Sequence, residues 1–66
     1  MNNFVLFLNK LTYKETLRFR KEVISSCGIS RGTYYNWSRG RTTPKYYYRE
    51  KINRLAFDFF NTTIYK

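Results

Sequence analysis

The sequence contains no histidine, a single cysteine (Cys27) and only four acidic residues among 66. Without histidine, a His general base, a Cys–His nucleophile pair and a mixed Cys/His zinc site are all excluded. One cysteine cannot form an internal disulfide, which is typical of a reducing compartment. The acids are scattered and outnumbered by nearby lysines and arginines, so no metal–carboxylate site is expected. These absences argue against an enzyme, and we expect no cofactor and no small-molecule substrate.

Long apolar runs are also missing. The longest unbroken run, from Phe4 to Leu8, has five residues, whereas a membrane-spanning helix needs roughly 20. No basic residue precedes this run and no small-residue cleavage site follows it, which argues against a secretion signal. The sequence therefore predicts a cytoplasmic protein with no membrane partner.

Positive charge is what the sequence has in excess. Thirteen lysines and arginines stand against the four acids, which gives a formal net charge of +9. A charge of this size on a small protein indicates a polyanionic partner, either nucleic acid or an anionic membrane surface. A hydrophobic content of 42% is typical of a globular chain, and the length predicts one domain over residues 1–66 with a thin core.

The apolar spacing predicts an all-α, compact four-helix domain. The first helix ends near Leu11 and carries a stripe made of Phe4, Phe7, Leu8 and Leu11. Thr12 and Glu15 form a capping-box pattern, which predicts a second helix that begins at Tyr13. The inner face of this helix is expected at Tyr13, Leu17, Ile24 and Cys27, with Phe19 and Val23 beside it. Gly28 follows the last apolar position and is expected to end the helix.

Two further helices follow. Ser30 is a favourable N-cap for a helix from Arg31 to about Arg39, with Tyr34 and Trp37 on its inner face and Gly40 as its stop. Pro44 is expected at the first position of a fourth helix, which Thr43 caps and which runs to about Phe60. Its core stripe consists of Tyr48, Ile52, Leu55, Ala56 and Phe59.

The segment from Arg20 to Pro44 reads RKEVISSCGISRGTYYNWSRGRTTP, about 25 residues of the chain. It resembles the helix-turn-helix of the lambda-repressor-like (Cro/C1-type) DNA-binding family. The matching positions are Val23, Cys27, Gly28, Ile29, Ser30, Tyr34, Trp37, Gly40 and Pro44. The resemblance implies sequence-specific binding of double-stranded DNA by a small transcriptional regulator or repressor. Because many relatives bind two half-sites as dimers, a homodimer is the second partner that it suggests.

Three positions depart from the family pattern. Ile24 stands where the family usually has alanine, and Tyr34 stands where a smaller aliphatic residue is usual. The hydroxyl of a buried Tyr34 is expected to reach a hydrogen-bond partner or water. Gly32 lies at a position that often reads bases, and without a side chain it would let the backbone approach DNA closely.

In such a motif the second helix enters the major groove and its outward side chains meet base edges. The candidate base contacts are Arg31, Gly32, Thr33 and Asn36. Arg31 suits guanine, Asn36 suits adenine, and Thr33 suits a thymine methyl group or a phosphate. The candidate contacts to the DNA backbone are Arg20, Ser30, Tyr35, Arg39, Arg41, Lys45 and Arg49. The absence of any acid from Val23 to Arg49 supports this choice.

Two alternatives stay open. The segment from Ser30 to Trp37 also resembles the Ser-Arg-x-x-Tyr-Tyr-x-Trp stretch of some transposases, which suggests a transposase-like or recombination accessory DNA-binding module. A cationic module that binds a partner protein or an anionic membrane surface belongs to another class. The sequence does not assign Tyr46 and Tyr47, which suit either plain surface or the DNA backbone. Phe57 and Phe60 suit either a surface shared with the first helix or a dimer patch.

Overall fold

A computed structural model describes residues 2–65 of the chain. Its four helices are α1 (Asn3–Asn9), α2 (Tyr13–Cys27), α3 (Arg31–Ser38) and α4 (Tyr46–Phe60). No strand occurs in this part of the chain, and the helices pack into a body of 24 × 23 × 23 Å. The expected all-α, four-helix architecture is confirmed.

Local hydrogen bonds set the ends of α2 as the sequence predicted. Thr12 Oγ1 accepts from the Glu15 N–H at 3.2 Å, and Glu15 Oε1 accepts from the Thr12 N–H at 2.8 Å. At the other end, Gly28 adopts a φ of 65° and its N–H donates to the Ile24 carbonyl. Glycine takes this left-handed conformation without the steric cost of a Cβ. The capping box and the glycine stop are therefore both confirmed.

The predicted start of α4 was wrong by two residues. The helix begins at Tyr46, and Lys45 is its N-cap in an extended conformation without a side-chain capping bond. Pro44 lies before the helix with its ring fully buried. Burial of this ring holds the chain extended through Lys45, so Pro44 is not the first helical residue and Thr43 is not the cap.

Aromatic rings from all four helices pack together in the core. Phe4 of α1 lies 5.9 Å from Tyr34 and 6.0 Å from Trp37 between ring centroids, both edge to face. Such arrangements favour aromatic pairs beyond the area they bury. A second group joins α1, α2 and α4 through Phe7, Phe19 and Phe60, with centroid distances of 5.4 to 5.8 Å. Phe60 therefore packs against α1. Of the two alternatives that the sequence left open for Phe60, this is the surface shared with the first helix.

The buried face of α2 is rotated from the expected one. Phe19 and Val23 are fully buried, whereas Tyr13 is 78% exposed and Cys27 is only half-buried. The cause is the position of Phe19 between rings of α1 and α4. The prediction that placed Tyr13 on the inner face was wrong, and Phe19 and Val23, which were expected beside that face, are its most buried members.

The side chain of Asn53 in α4 makes three hydrogen bonds to the chain that follows the helix. Asn53 Oδ1 accepts from the backbone N–H groups of Ile64 and Tyr65, at 2.9 and 2.8 Å. Asn53 Nδ2 donates to the Tyr65 carbonyl at 2.8 Å. These bonds place the Ile64 side chain in the core, in a segment for which the sequence pattern predicted no structure.

Candidate nucleic-acid interface

The α2–α3 connection presents one side of α3 to solvent. Residues 28–30 join the helices, and Ser30 Oγ accepts from the Thr33 N–H at 3.2 Å as the N-cap. Tyr34 and Trp37 are buried, which confirms the predicted inner face. The residues on the opposite side and at the C-cap are exposed, apart from the half-buried Thr33. They are Arg31, Gly32, Thr33, Tyr35, Asn36 and Arg39.

Three of the expected DNA-backbone contacts lie together across α2 and α3. Arg20 Nη1 donates to the Tyr35 hydroxyl at 3.2 Å. The Arg39 guanidinium lies over the Tyr35 ring, 5.9 Å from its centroid. Tyr35 thus contacts Arg20 of α2 and Arg39, the C-cap residue of α3.

The loop after α3 folds back onto the end of that helix. The N–H groups of Arg41 and Thr42 donate to the Asn36 carbonyl at 3.0 and 3.4 Å. Gly40 makes the reversal with a φ of 77°, beside Val5 of α1. These bonds hold the backbone of Arg41 next to Asn36, so an expected phosphate contact adjoins an expected base contact.

A cleft between α2 and α3 brings in a cation that the sequence analysis did not select. It is lined by Leu17, Arg20, Lys21, Ile24, Ser25 and Arg31. Lys21 is exposed and lines this cleft together with Arg20 and Arg31. The signal for it in the sequence was its place next to Arg20.

The remaining candidates differ in how free their side chains are. The Ser30 hydroxyl is occupied by the cap and lies 3.2 Å from the Thr33 hydroxyl. Arg49 is half-buried; its Nε donates to the Pro44 carbonyl at 3.1 Å and its guanidinium lies 4.9 Å from the Tyr65 ring centroid. These two contacts within the protein hold the Arg49 side chain in place. Lys45 and Arg41 are exposed.

Two groups near the site are kept neutral by burial. The Tyr34 hydroxyl is buried and no group of residues 2–65 hydrogen-bonds it, so of the two partners that were expected, a protein group or water, it has no protein group. Burial, only partly opposed by Arg20, raises the pKa of Tyr34 to about 12. Burial also raises the pKa of the Cys27 thiol, and Lys51 partly opposes the change. Neither group offers an ionised nucleophile at neutral pH.

Among residues 2–65, no three cysteine, aspartate or glutamate side chains lie close enough together to hold a metal ion. No helix of this range has both the length and the apolar character needed to cross a bilayer. Comparison of the chain with protein-family models, curated proteins and solved structures finds no match.

Proposed function

We propose that this protein binds double-stranded DNA in a sequence-specific manner, with α3 in the major groove, and acts as a small transcriptional regulator or repressor. The observation that carries the proposal is the two-sided character of α3. Its apolar side is anchored by Tyr34 and Trp37, while its polar side is exposed. A helix presented in this way fits the width of the major groove.

Three side chains on the exposed side suit base edges. Arg31 presents two parallel donors to the acceptors of guanine, and the Asn36 amide pairs with the donor and acceptor of adenine. Thr33 adjoins them and offers a methyl group that suits thymine. Gly32 lies between Arg31 and Thr33 and has no side chain to hold the helix away from the groove floor.

Lysine and arginine side chains on both sides of α3 suit contacts with the phosphates of the DNA backbone. Arg20 and Lys21 lie on the α2 side, and Arg39, Arg41 and Lys45 lie at the end of α3 and in the following loop. Arg49 is left out of this set because the protein already holds its guanidinium. Contacts of this kind fix the register on the duplex without reading sequence.

The test is selection of bound duplexes from a random pool, followed by measurement of variants on the selected site. Arg31→Ala should cost about 1–3 kcal/mol on that site and relax the preference at one base pair. The control is Lys14→Ala, an exposed cation in the first turn of α2; α2 is 15 residues long, so Lys14 lies about 20 Å along its axis from the α3 end. Equal losses for Arg31→Ala on selected and random duplexes would contradict base reading.

A phosphate contact has a different signature. Arg41→Ala should weaken binding to all duplexes alike and reduce the slope of log affinity against log salt by about 1. Unchanged salt dependence would remove Arg41 from the interface. If no sequence is enriched and the protein instead binds anionic vesicles, the proposed function is wrong and the membrane-surface alternative stands. Enrichment of inverted terminal repeats in place of promoter sites would favour the transposase-like module.

A further inference from the structure

Four aromatic rings form a continuous series from the core to the surface at the start of α4. Trp37 is buried, and its ring centroid lies 5.4 Å from that of the half-buried Tyr48. Tyr48 lies 4.5 Å from Tyr47, and Tyr47 lies 5.6 Å from Tyr46. We call Tyr46, Tyr47 and Tyr48 the tyrosine series. Its inner end is fixed by the core, so its outer rings rest on a rigid support.

The outer rings are not needed to build the core. Tyr46 is 80% exposed and Tyr47 is 50% exposed. Their planes meet at 79°, so an edge of one ring meets a face of the other and the two rings do not stack on each other. Exposed neighbouring aromatic rings are a feature of binding surfaces, because they offer apolar area at a low cost in side-chain entropy.

The charge around these rings indicates the chemistry of the partner. Lys45 directly precedes Tyr46, and Arg41 and Arg39 lie in the segment that leads to it. All three are exposed, and no acid occurs between Val23 and Arg49. The nearest acid along the chain is Glu50, which lies three and four residues after Tyr47 and Tyr46 on α4 and so on their side of the helix, where the cations outnumber it. Exposed aromatic faces beside a run of cations suit a partner that has both flat rings and negative charge.

We propose that Tyr46 and Tyr47 form a stacking platform for unpaired bases of a single-stranded nucleic acid, whose phosphates bind Arg41 and Lys45. Aromatic side chains in a cationic surface are the usual means of binding single strands without reading sequence. The platform lies beyond the end of α3 and uses rings that the proposed duplex contact does not require. It is therefore a second activity, and it goes beyond the proposed function.

The test compares Tyr46→Ala/Tyr47→Ala with the parent protein, using labelled oligothymidylate and oligouridylate of about 12 nucleotides, a length within the range of single-strand sites. Loss of stacking should weaken binding by about fivefold to 100-fold for each base that stacks. Tyr46→Phe/Tyr47→Phe should bind as the parent does, because stacking needs the ring and not the hydroxyl. The two oligomers show whether the platform prefers DNA or RNA.

Tyr13→Ala is the matched control. Tyr13 is also the first residue of a helix and is 78% exposed, but it lies outside the tyrosine series, so its loss should leave single-strand binding unchanged. An abasic strand of equal length keeps the phosphates and lacks the rings; it should bind the parent protein as weakly as oligothymidylate binds the alanine double variant. Circular dichroism confirms that each variant is folded.

Several results would overturn the platform. They are failure of the parent protein to bind either oligomer, equal binding of abasic and base-carrying strands, and unchanged binding by the alanine double variant. Tyrosine fluorescence that responds to a proline-rich peptide and to no oligomer would assign the surface to a protein partner. The alanine double variant should still bind the duplex selected for α3, so failure of the platform and failure of duplex recognition are separate outcomes.

Discussion

At the scale of single residues, Gly32 is the position where fold and proposed function make opposite demands. It is exposed in α3, and a Cβ added there would meet only the Ser30 hydroxyl oxygen, at 3.8 Å. The fold therefore has room for alanine. Glycine inside a helix is up to about 1 kcal/mol less favourable than alanine, so the protein would be more stable without it.

Gly32→Ala should raise the free energy of unfolding by about 0.5–1 kcal/mol and at the same time weaken binding to the selected duplex, because the new methyl group occupies space at the groove floor. Urea unfolding and duplex titration measure the two effects. Gly28→Ala is the control: it should cost about 1–2 kcal/mol of stability, because of its φ of 65°, and leave the affinity of the folded protein unchanged. Gains in both stability and affinity for Gly32→Ala would refute close approach of the backbone.

At the scale of helices and turns, the sequence predicted the helix ends that depend on hydrogen bonds between residues close together in the chain. Thr12 and Ser30 are caps because their hydroxyls reach an amide three residues on, and Gly28 and Gly40 end helices through positive φ. The exposed side of α3 was predictable because the positions of Tyr34 and Trp37 define its opposite side. Each of these features lies within a few residues of its signal.

Features that depend on distant contacts were not predictable. The start of α4 is set by the buried ring of Pro44, and the rotation of α2 is set by rings that Phe19 meets on α1 and α4. Ile64 and Tyr65 are positioned by Asn53, which lies 11 and 12 residues before them. The apolar spacing that predicts helices and strands gives no information about such a contact.

Asn53→Ala should release this tail. Three hydrogen bonds are lost and two backbone donors lose their acceptor, so the free energy of unfolding should fall by about 2–3 kcal/mol. Asn53→Asp keeps the acceptor for both amides but sets a carboxylate oxygen against the Tyr65 carbonyl, so it should protect the two amides better than Asn53→Ala does without restoring the stability of the parent. Hydrogen exchange at the Ile64 and Tyr65 amides provides the local measurement. Protection as strong in Asn53→Ala as in the parent would show that the side chain does not hold the tail.

At the scale of the whole molecule, buried tyrosines couple folding to alkaline pH. Burial raises the pKa of Tyr34 from 10.0 to about 12 and also raises that of Tyr65. A raised pKa means that the folded state favours the neutral phenol. This contribution to stability is complete below pH 10 and is lost as the pH rises from 10 through about 12.

Tyr34→Phe should therefore flatten the fall in unfolding free energy between pH 10 and pH 12, leaving the part that Tyr65 contributes. At neutral pH it should stabilise the protein by up to about 1 kcal/mol, because it removes a buried hydroxyl without a partner. Urea unfolding at a series of pH values measures both effects. Tyr13→Phe, at an exposed position, should change neither. A steeper alkaline loss in Tyr34→Phe would contradict the assignment.

The placement of Trp37 gives the molecule a built-in optical reporter. The sequence has one tryptophan and seven tyrosines. Trp37 is buried, and its ring contacts both Phe4 and the inner end of the tyrosine series. Light absorbed by Tyr46, Tyr47 or Tyr48 can pass to the indole by energy transfer over these short distances. Tyrosine excitation with indole emission therefore follows the integrity of the fold around Trp37, and it does so in unlabelled protein.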